Sequence, residues 1–189
     1  MKTITFLNKK GGVGKTSLAF NAAKDLGFFL ISNDDSIIET LYPKKARILD
    51  EIKYIGSADI VYDLGGFVDS NAIDIIKHSN IIFIPTLLDI NSIKRTINTV
   101  REIEDLNQEI IIVINNFVPK DIKKYQKAID KIKQLGKDIV FIPKSEAIPN
   151  SLYTGKTIIE QYESSNLNKN IFKNRAPLKT PPNQTKSKN

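Results

Sequence analysis

The chain has 189 residues, 41% hydrophobic and 26% charged, which excludes collagen-like and wholly disordered classes. It has no cysteine, which removes disulfide scaffolds, thiolate metal sites and cysteine nucleophiles, and its single histidine gives no basis for a His-rich zinc site or a Ser-His-Asp triad. Six of the 28 basic residues and none of the 21 acidic ones follow residue 163, so the net charge of +7 is concentrated in residues 164–189, while residues 1–163 balance at 22 against 21.

Residues 164–189 are rich in Asn, Lys, Pro and Ser and too poor in apolar side chains to offset the entropy of ordering. They are expected to be a disordered tail, either a solubilising end or an electrostatic arm for a polyanion. The start, MKTITFLNKKGG, has no apolar run of signal-peptide length. No stretch approaches the roughly 20 apolar residues of a membrane span, and a soluble, cytoplasmic protein is expected.

Along residues 1–163 strand and helix patterns alternate. Residues 2–7 form an apolar, β-branched run ending at a Gly-rich turn. A helix is predicted from Lys15, with Leu18, Ala19, Ala22, Ala23 and Leu26 on one stripe and Gly27 closing it. Phe28–Ile31 reads as the next strand, and residues 36–58 as a helix plus a weak strand near Arg47–Ile52. Ile60–Tyr62, Ile81–Ile84, Ile110–Ile114 and Ile139–Ile142 are further continuous apolar runs, the signature of parallel strands covered on both faces. A helical stretch ends at His78, which reads as a plain helix-end residue. Two more helices are predicted from Ile90, Ile93, Ile97, Val100, Ile103 and Leu106 and from Ile122, Tyr125, Ile129, Ile132 and Leu135. The order argues for one α/β domain, a mostly parallel twisted sheet with helices on both faces.

The segment Lys10-Gly11-Gly12-Val13-Gly14-Lys15-Thr16-Ser17 joins the first strand to the first helix. Glycines let a backbone turn its N–H groups toward an anion, and the helix N-terminus behind them adds its positive end. In such a phosphate loop Lys15 reaches the β- and γ-phosphates and the Thr16 hydroxyl ligates Mg²⁺. Asp63 ends the buried run Ile60-Val61-Tyr62 and precedes Gly65-Gly66, the Walker B arrangement of a P-loop NTPase, in which the carboxylate holds Mg²⁺. An aspartate at a strand end can also be a simple turn former.

The run Asn8-Lys9-Lys10-Gly-Gly-Val-Gly-Lys-Thr has lysine where the usual first glycine stands and resembles the deviant Walker A motif of the ParA/MinD ATPases. The resemblance covers roughly residues 1–162 and looks most like a small plasmid-type ParA. It implies ATP and Mg²⁺ as ligands, an ATP-dependent homodimer and weak intrinsic hydrolysis. Lys10 would be the signature lysine that reaches the partner subunit's nucleotide. The family usually reads D-x-D-P after its second strand. Here Ser32 takes the first acidic place and Asp34 the second, so Asp34 is the candidate for positioning the attacking water, with a helix N-cap as its other reading. Asn115 and Asn116 end the strand Ile110–Ile114, where relatives place an adenine contact, though asparagine also simply turns chains. Pro143, within Ile142-Pro143-Lys144-Ser145-Glu146-Ala147-Ile148, with Gly155-Lys156 beyond, resembles the family's late loop near the purine.

The same resemblance implies a ParB-type centromere-binding partner, nonspecific DNA binding and a nucleoid-associated location. DNA without sequence readout needs only cations on one face, and the candidates are Lys94, Arg95, Arg101, Lys120, Lys123, Lys124, Lys127, Lys144, Lys156 and the tail. A MinD-like protein would anchor to a membrane by a terminal amphipathic helix, and the tail offers little apolar face for one. A dethiobiotin-synthetase-type ligase, which passes the γ-phosphate to a small molecule, or a non-hydrolysing adaptor are the other readings.

Overall fold

The computed structural model describes residues 1–66 and 70–165; residues 67–69 and the expected disordered tail from 166 on lie outside it. Among the described residues seven strands form one sheet: β1 (Thr3–Asn8), β2 (Phe29–Ser32), β3 (Ala46–Ile48), β4 (Ile60–Gly65), β5 (Ile81–Thr86), β6 (Ile110–Phe117) and β7 (Asp138–Pro143). Their order is β3-β2-β4-β1-β5-β6-β7, and every pairing is parallel. The helices are α1 (Lys15–Leu26), α2 (Ile38–Leu41), α3 (Ser70–His78), α4 (Ile90–Ile103), α5 (Gln126–Lys133), α6 (Ala147–Thr154) and α7 (Ile158–Ser164), with a 3₁₀ turn at Pro119–Asp121.

The apolar runs are strands buried on both faces. In β4 every residue from Ile60 to Leu64 is buried, the expectation for a central parallel strand. Alternate residues feed two cores. Leu7, Tyr62, Leu64, Ile82, Ile84 and Ile112 pack with α3, α4 and α5 on one side. Phe6, Leu30, Val61 and Val113 pack on the other with Leu18, Ala19, Phe20 and Ala23 of α1 and Ile148 of α6. The rings of Phe6 and Phe83 stack at 5.1 Å within this second core.

Three residues expected on buried stripes are exposed: Leu26 (53%), Ile90 (86%) and Ile122 (43%). Leu26 is the last residue of α1, Ile90 the first of α4, and Ile122 precedes α5. In each case the apolar period runs on in sequence to the very end of the helix or past it. Phe20, off the predicted stripe, is fully buried instead. The weak strand of residues 36–58 is the short β3, earlier than expected.

β1 lies between β4 and β5, so the chain leaves the sheet centre toward β2 and returns on the other side of β1 at β5. The crevice beyond the carboxyl ends of strands at such a reversal is where open α/β sheets bind ligands. Register aligns Phe6 with Asp63, Asn8 with Gly65 and Ser32 with Asp63. The ends of β1, β2 and β4 therefore meet at one place.

Candidate nucleotide site

The phosphate loop is fastened at both ends. Asn8, buried at the end of β1, donates from Nδ2 to the Pro85 carbonyl at 2.6 Å and to Thr96 Oγ1 at 3.1 Å. Its Oδ1 accepts the Lys10 N–H at 2.9 Å. Farther along, Asn115 Nδ2 donates to the Val13 carbonyl at 2.9 Å, tying the loop to the end of β6. Gly14 caps α1 at φ 89°, and a Cβ there would collide with the Asn115 amide. Backbone conformation and that close approach both require glycine. A Cβ at Gly11 or Gly12 would meet nothing within 4 Å, so the outer side of the loop is open.

At the loop's base Lys15 begins α1, its side chain only 6% exposed. Its ammonium donates to Asp63 Oδ1 at 2.9 Å and, by a very short contact, to Asp34 Oδ2. Burial alone would lower the Lys15 pKa, but Asp63 and Asp34 outweigh it and hold the group above its ordinary value. Asp63 is fully buried, and its second oxygen accepts the Ser32 hydroxyl at 3.0 Å. The Asp34 N–H donates to the same Ser32 oxygen, also at 3.0 Å. Ser32, Asp63, Lys15 and Asp34 thus close a ring of hydrogen bonds. Asp34 does not cap a helix: α2 has Ile37 at its N-cap and no side-chain cap bond.

The two lysines ahead of the glycines differ. Lys9 reaches α4 and pairs with Glu102 at 2.7 Å. Lys10 donates to its neighbour's Gly11 carbonyl at 3.0 Å and is half-buried. Asp89, the N-cap of α4, works against its own desolvation: bonds from Ser92 and Asn91 and the charge of Lys10 hold its carboxyl below the usual range.

The family model for the CobQ/CobB/MinD/ParA nucleotide binding domain matches residues 4–158. The chain belongs to that family. No curated protein matches it. Solved structures share its fold: apo McdA of Cyanothece (16% identity, 87% of this chain and 94% of that one, TM-score 0.67), a ParA family ATPase of Chlorobium tepidum (18%, 91% and 97%, 0.60) and MinD of Aquifex aeolicus (18%, 95% and 100%, 0.60). The chain is thus a ParA/MinD-type P-loop protein, a single α/β domain as its sequence predicts.

In this ParA/MinD-type domain a cleft of about 300 Å³ opens beside the loop, lined by Gly12, Gly14, Ser17, Asn115, Asn116 and Lys144, among others. Asn115 spends its amide on Val13, while Asn116 is exposed at φ 55°, held there by its N–H to Asn115 Oδ1. Pro143 ends β7, and the lining comes from Lys144, Ser145 and Glu146 after it. Thr16 and Ser17 follow Lys15 in the first turn of α1, both half-buried.

Sequence reading missed Asn8 and Asn33. Asn33 clasps the turn after β4: its Nδ2 donates to the Gly65 carbonyl at 3.0 Å and its Oδ1 accepts the Gly65 N–H at 2.6 Å. A Cβ on Gly65 would strike the Asp34 carboxylate. The one available signal was position, since each asparagine directly follows or ends a strand beside the phosphate loop or Asp34. His78 ends α3 as expected, bonded to the Asp74 carbonyl at 2.8 Å and stacked on Tyr54. Among the candidate DNA contacts, Lys94 and Arg101 on α4 and Lys124 and Lys127 at α5 line one trough, away from the nucleotide cleft. Arg95, Lys120 and Lys123 are exposed outside it. Among the described residues no helix is long and apolar enough to cross a membrane.

Proposed function

We propose that this chain is a Mg²⁺-dependent ATPase acting as a switch. Its ATP-bound dimer holds DNA nonspecifically, and a ParB-type partner triggers hydrolysis and release, so that repeated cycles position a plasmid or chromosome region on the nucleoid. The observation that carries the reading is Lys15, buried at the mouth of an open glycine loop and paired with Asp63 and Asp34. Solved neighbours support the ligand class: a McdA variant is titled as an ATP complex and MinD of Pyrococcus horikoshii as an Mg-ADP complex. MinD of Aquifex aeolicus is also titled in complex with MinC, which supports a protein partner as part of the cycle.

The donor set fits the nucleotide and its metal. Backbone N–H groups stand unobstructed at Gly11 and Gly12, a lysine sits at a helix N-terminus, and a fully buried carboxylate lies beside it. Thr16 and Asp63 would hold Mg²⁺, which supplies Lewis-acid stabilisation of phosphate charge when bound. Lys15 exchanges its bond to the half-exposed Asp34 for phosphate oxygens. Asp34, released, turns to orient the attacking water, which in a loose transition state needs placement more than a strong base. Lys10 reaches the second subunit's phosphates. Turnover is weak until that subunit and the partner complete the charge neutralisation.

Retention of the full-length protein on DNA tests the reading, with ATP, ADP or no nucleotide at two salt concentrations. Retention that needs ATP and falls steeply with salt is expected. Equal retention under all three nucleotide conditions would overturn it.

A further inference from the structure

The largest cavity described lies away from the nucleotide cleft, a trough of about 990 Å³ between α4 and α5. Its floor is apolar: Ile93 and Ile97 from α4, Tyr125 and Ala128 from the start of α5, and Leu135 beyond its end. Its rims are cationic. Lys94 and Arg101 stand on the α4 side, with Lys124, Lys127 and Lys131 on the α5 side, all exposed. Among the described residues none of these five has a carboxylate within ion-pair distance. Lys124 instead lies 5.1 Å over the Tyr125 ring.

Spacing orders the charges. Lys94 and Arg101 are seven residues apart, and Lys124, Lys127 and Lys131 follow at steps of three and four. Side chains at those steps share one helix face and recur about every turn. A surface with an apolar floor and cations repeating along both walls complements a helix with an apolar stripe flanked by carboxylates at the same period. We propose that the α4–α5 trough is the docking site of an acidic amphipathic helix on a partner protein.

Other occupants fit less well. A second copy of this chain facing trough to trough would set five cations against five. The chain's own residues 164–189 carry six basic residues and no acidic one. Duplex DNA would engage the rims and leave its phosphates over an apolar floor, which contributes nothing to counterion release. The inference goes beyond the ATPase switch and does not depend on nucleotide.

The probe is a fluorescein-labelled synthetic peptide of three helical turns or more, with Leu at i, i+3, i+4 and i+7 and Glu on both flanks, titrated into full-length protein and followed by anisotropy. A scrambled peptide of equal composition, a 24-base-pair duplex and phosphatidylglycerol vesicles are the comparison arms. The ordered peptide should bind at least tenfold more tightly than the scrambled one. Ala128→Arg, which fills the floor while adding a cation and keeping a good helix former, should weaken the peptide at least tenfold and leave DNA retention no weaker. Lys94→Glu with Lys127→Glu should weaken the peptide similarly, and Lys77→Glu on α3 should not; circular dichroism checks that each variant is folded. The proposal is overturned if the ordered and scrambled peptides bind alike, if Ala128→Arg leaves the peptide unaffected, or if the charge reversals abolish only DNA or vesicle binding.

Discussion

Ser32 and Asp63 lie opposite each other on β2 and β4, and the serine hydroxyl donates to Asp63 Oδ2 across 3.0 Å, both residues fully buried. The serine stands where the D-x-D-P pattern has its first carboxylate. As a neutral donor it leaves Lys15 facing two carboxylates instead of three, and its oxygen also accepts the Asp34 N–H. Ser32→Ala removes a donor to a buried charge and should cost about 1–3 kcal/mol, read from the urea midpoint. Ser32→Asp puts a like charge beside Asp63. Its deficit should be largest at neutral pH and shrink as acid protonates one member of the pair. A midpoint that does not rise from pH 7 to pH 5, relative to the parent, would contradict this placement.

Lys15 gives a second pH dependence, on the alkaline side. Its pKa is raised in the folded protein above the model value of 10.5, so its pairing stabilises fully below that value. The contribution fades as pH rises through the higher folded value. Lys15→Met should lack this alkaline loss relative to the parent. At neutral pH it strands Asp63 without its cation, at a cost of about 3–5 kcal/mol typical of breaking a buried pair. It should also abolish ATP binding by equilibrium dialysis. A variant that still binds ATP would remove Lys15 from the phosphate site.

Most of the fold was legible because burial on both faces writes itself into sequence as unbroken Ile and Val runs. Ile60–Tyr62 and Ile110–Ile114 could hardly be anything but central strands. The phosphate loop was legible because its chemistry is local: glycines, lysine and threonine are consecutive. β3 was not sharply legible, since three residues of which one is buried leave almost no periodic signal. The roles of Asn33 and Ser32 were hidden for another reason. Their partners Gly65 and Asp63 are 32 and 31 residues away and become neighbours only through the β2–β4 register. The α4–α5 trough is likewise nonlocal, because Lys94 and Lys127 belong to different crossovers and share a rim only after the sheet forms.

The contrast between Lys9 and Lys10 separates two lysines that look equivalent in sequence. Lys9 is committed to Glu102 within its own subunit, whereas Lys10 engages only the neighbouring Gly11 carbonyl. Lys10→Ala should therefore leave ATP binding intact and abolish ATP-dependent dimerisation, measured by light scattering with a slowly hydrolysed analogue. Lys9→Ala should dimerise as the parent does, losing within about 1 kcal/mol of stability, as for an exposed ion pair. A Lys10→Ala dimer of parental affinity would move the signature role elsewhere.

Asp34 is the member of the charged ring that can leave it. Its side chain is 44% exposed, against 6% for Lys15 and 0% for Asp63, so it can exchange Lys15 for solvent at small cost. Gly65 stands so close that a Cβ there would occupy the carboxylate's place. Asp34→Ala should leave stability within about 1 kcal/mol of the parent, because the exposed partner is the one removed and Asp63 still holds Lys15. ATP binding should persist while hydrolysis falls by about 100-fold or more, the range of a positioned acid–base group, and the protein should stay on DNA. Gly65→Ala tests the same contact from the other side: it displaces Asp34 without deleting it and should also slow hydrolysis. Parental turnover in Asp34→Ala would exclude Asp34 from water positioning, whatever the Gly65→Ala result.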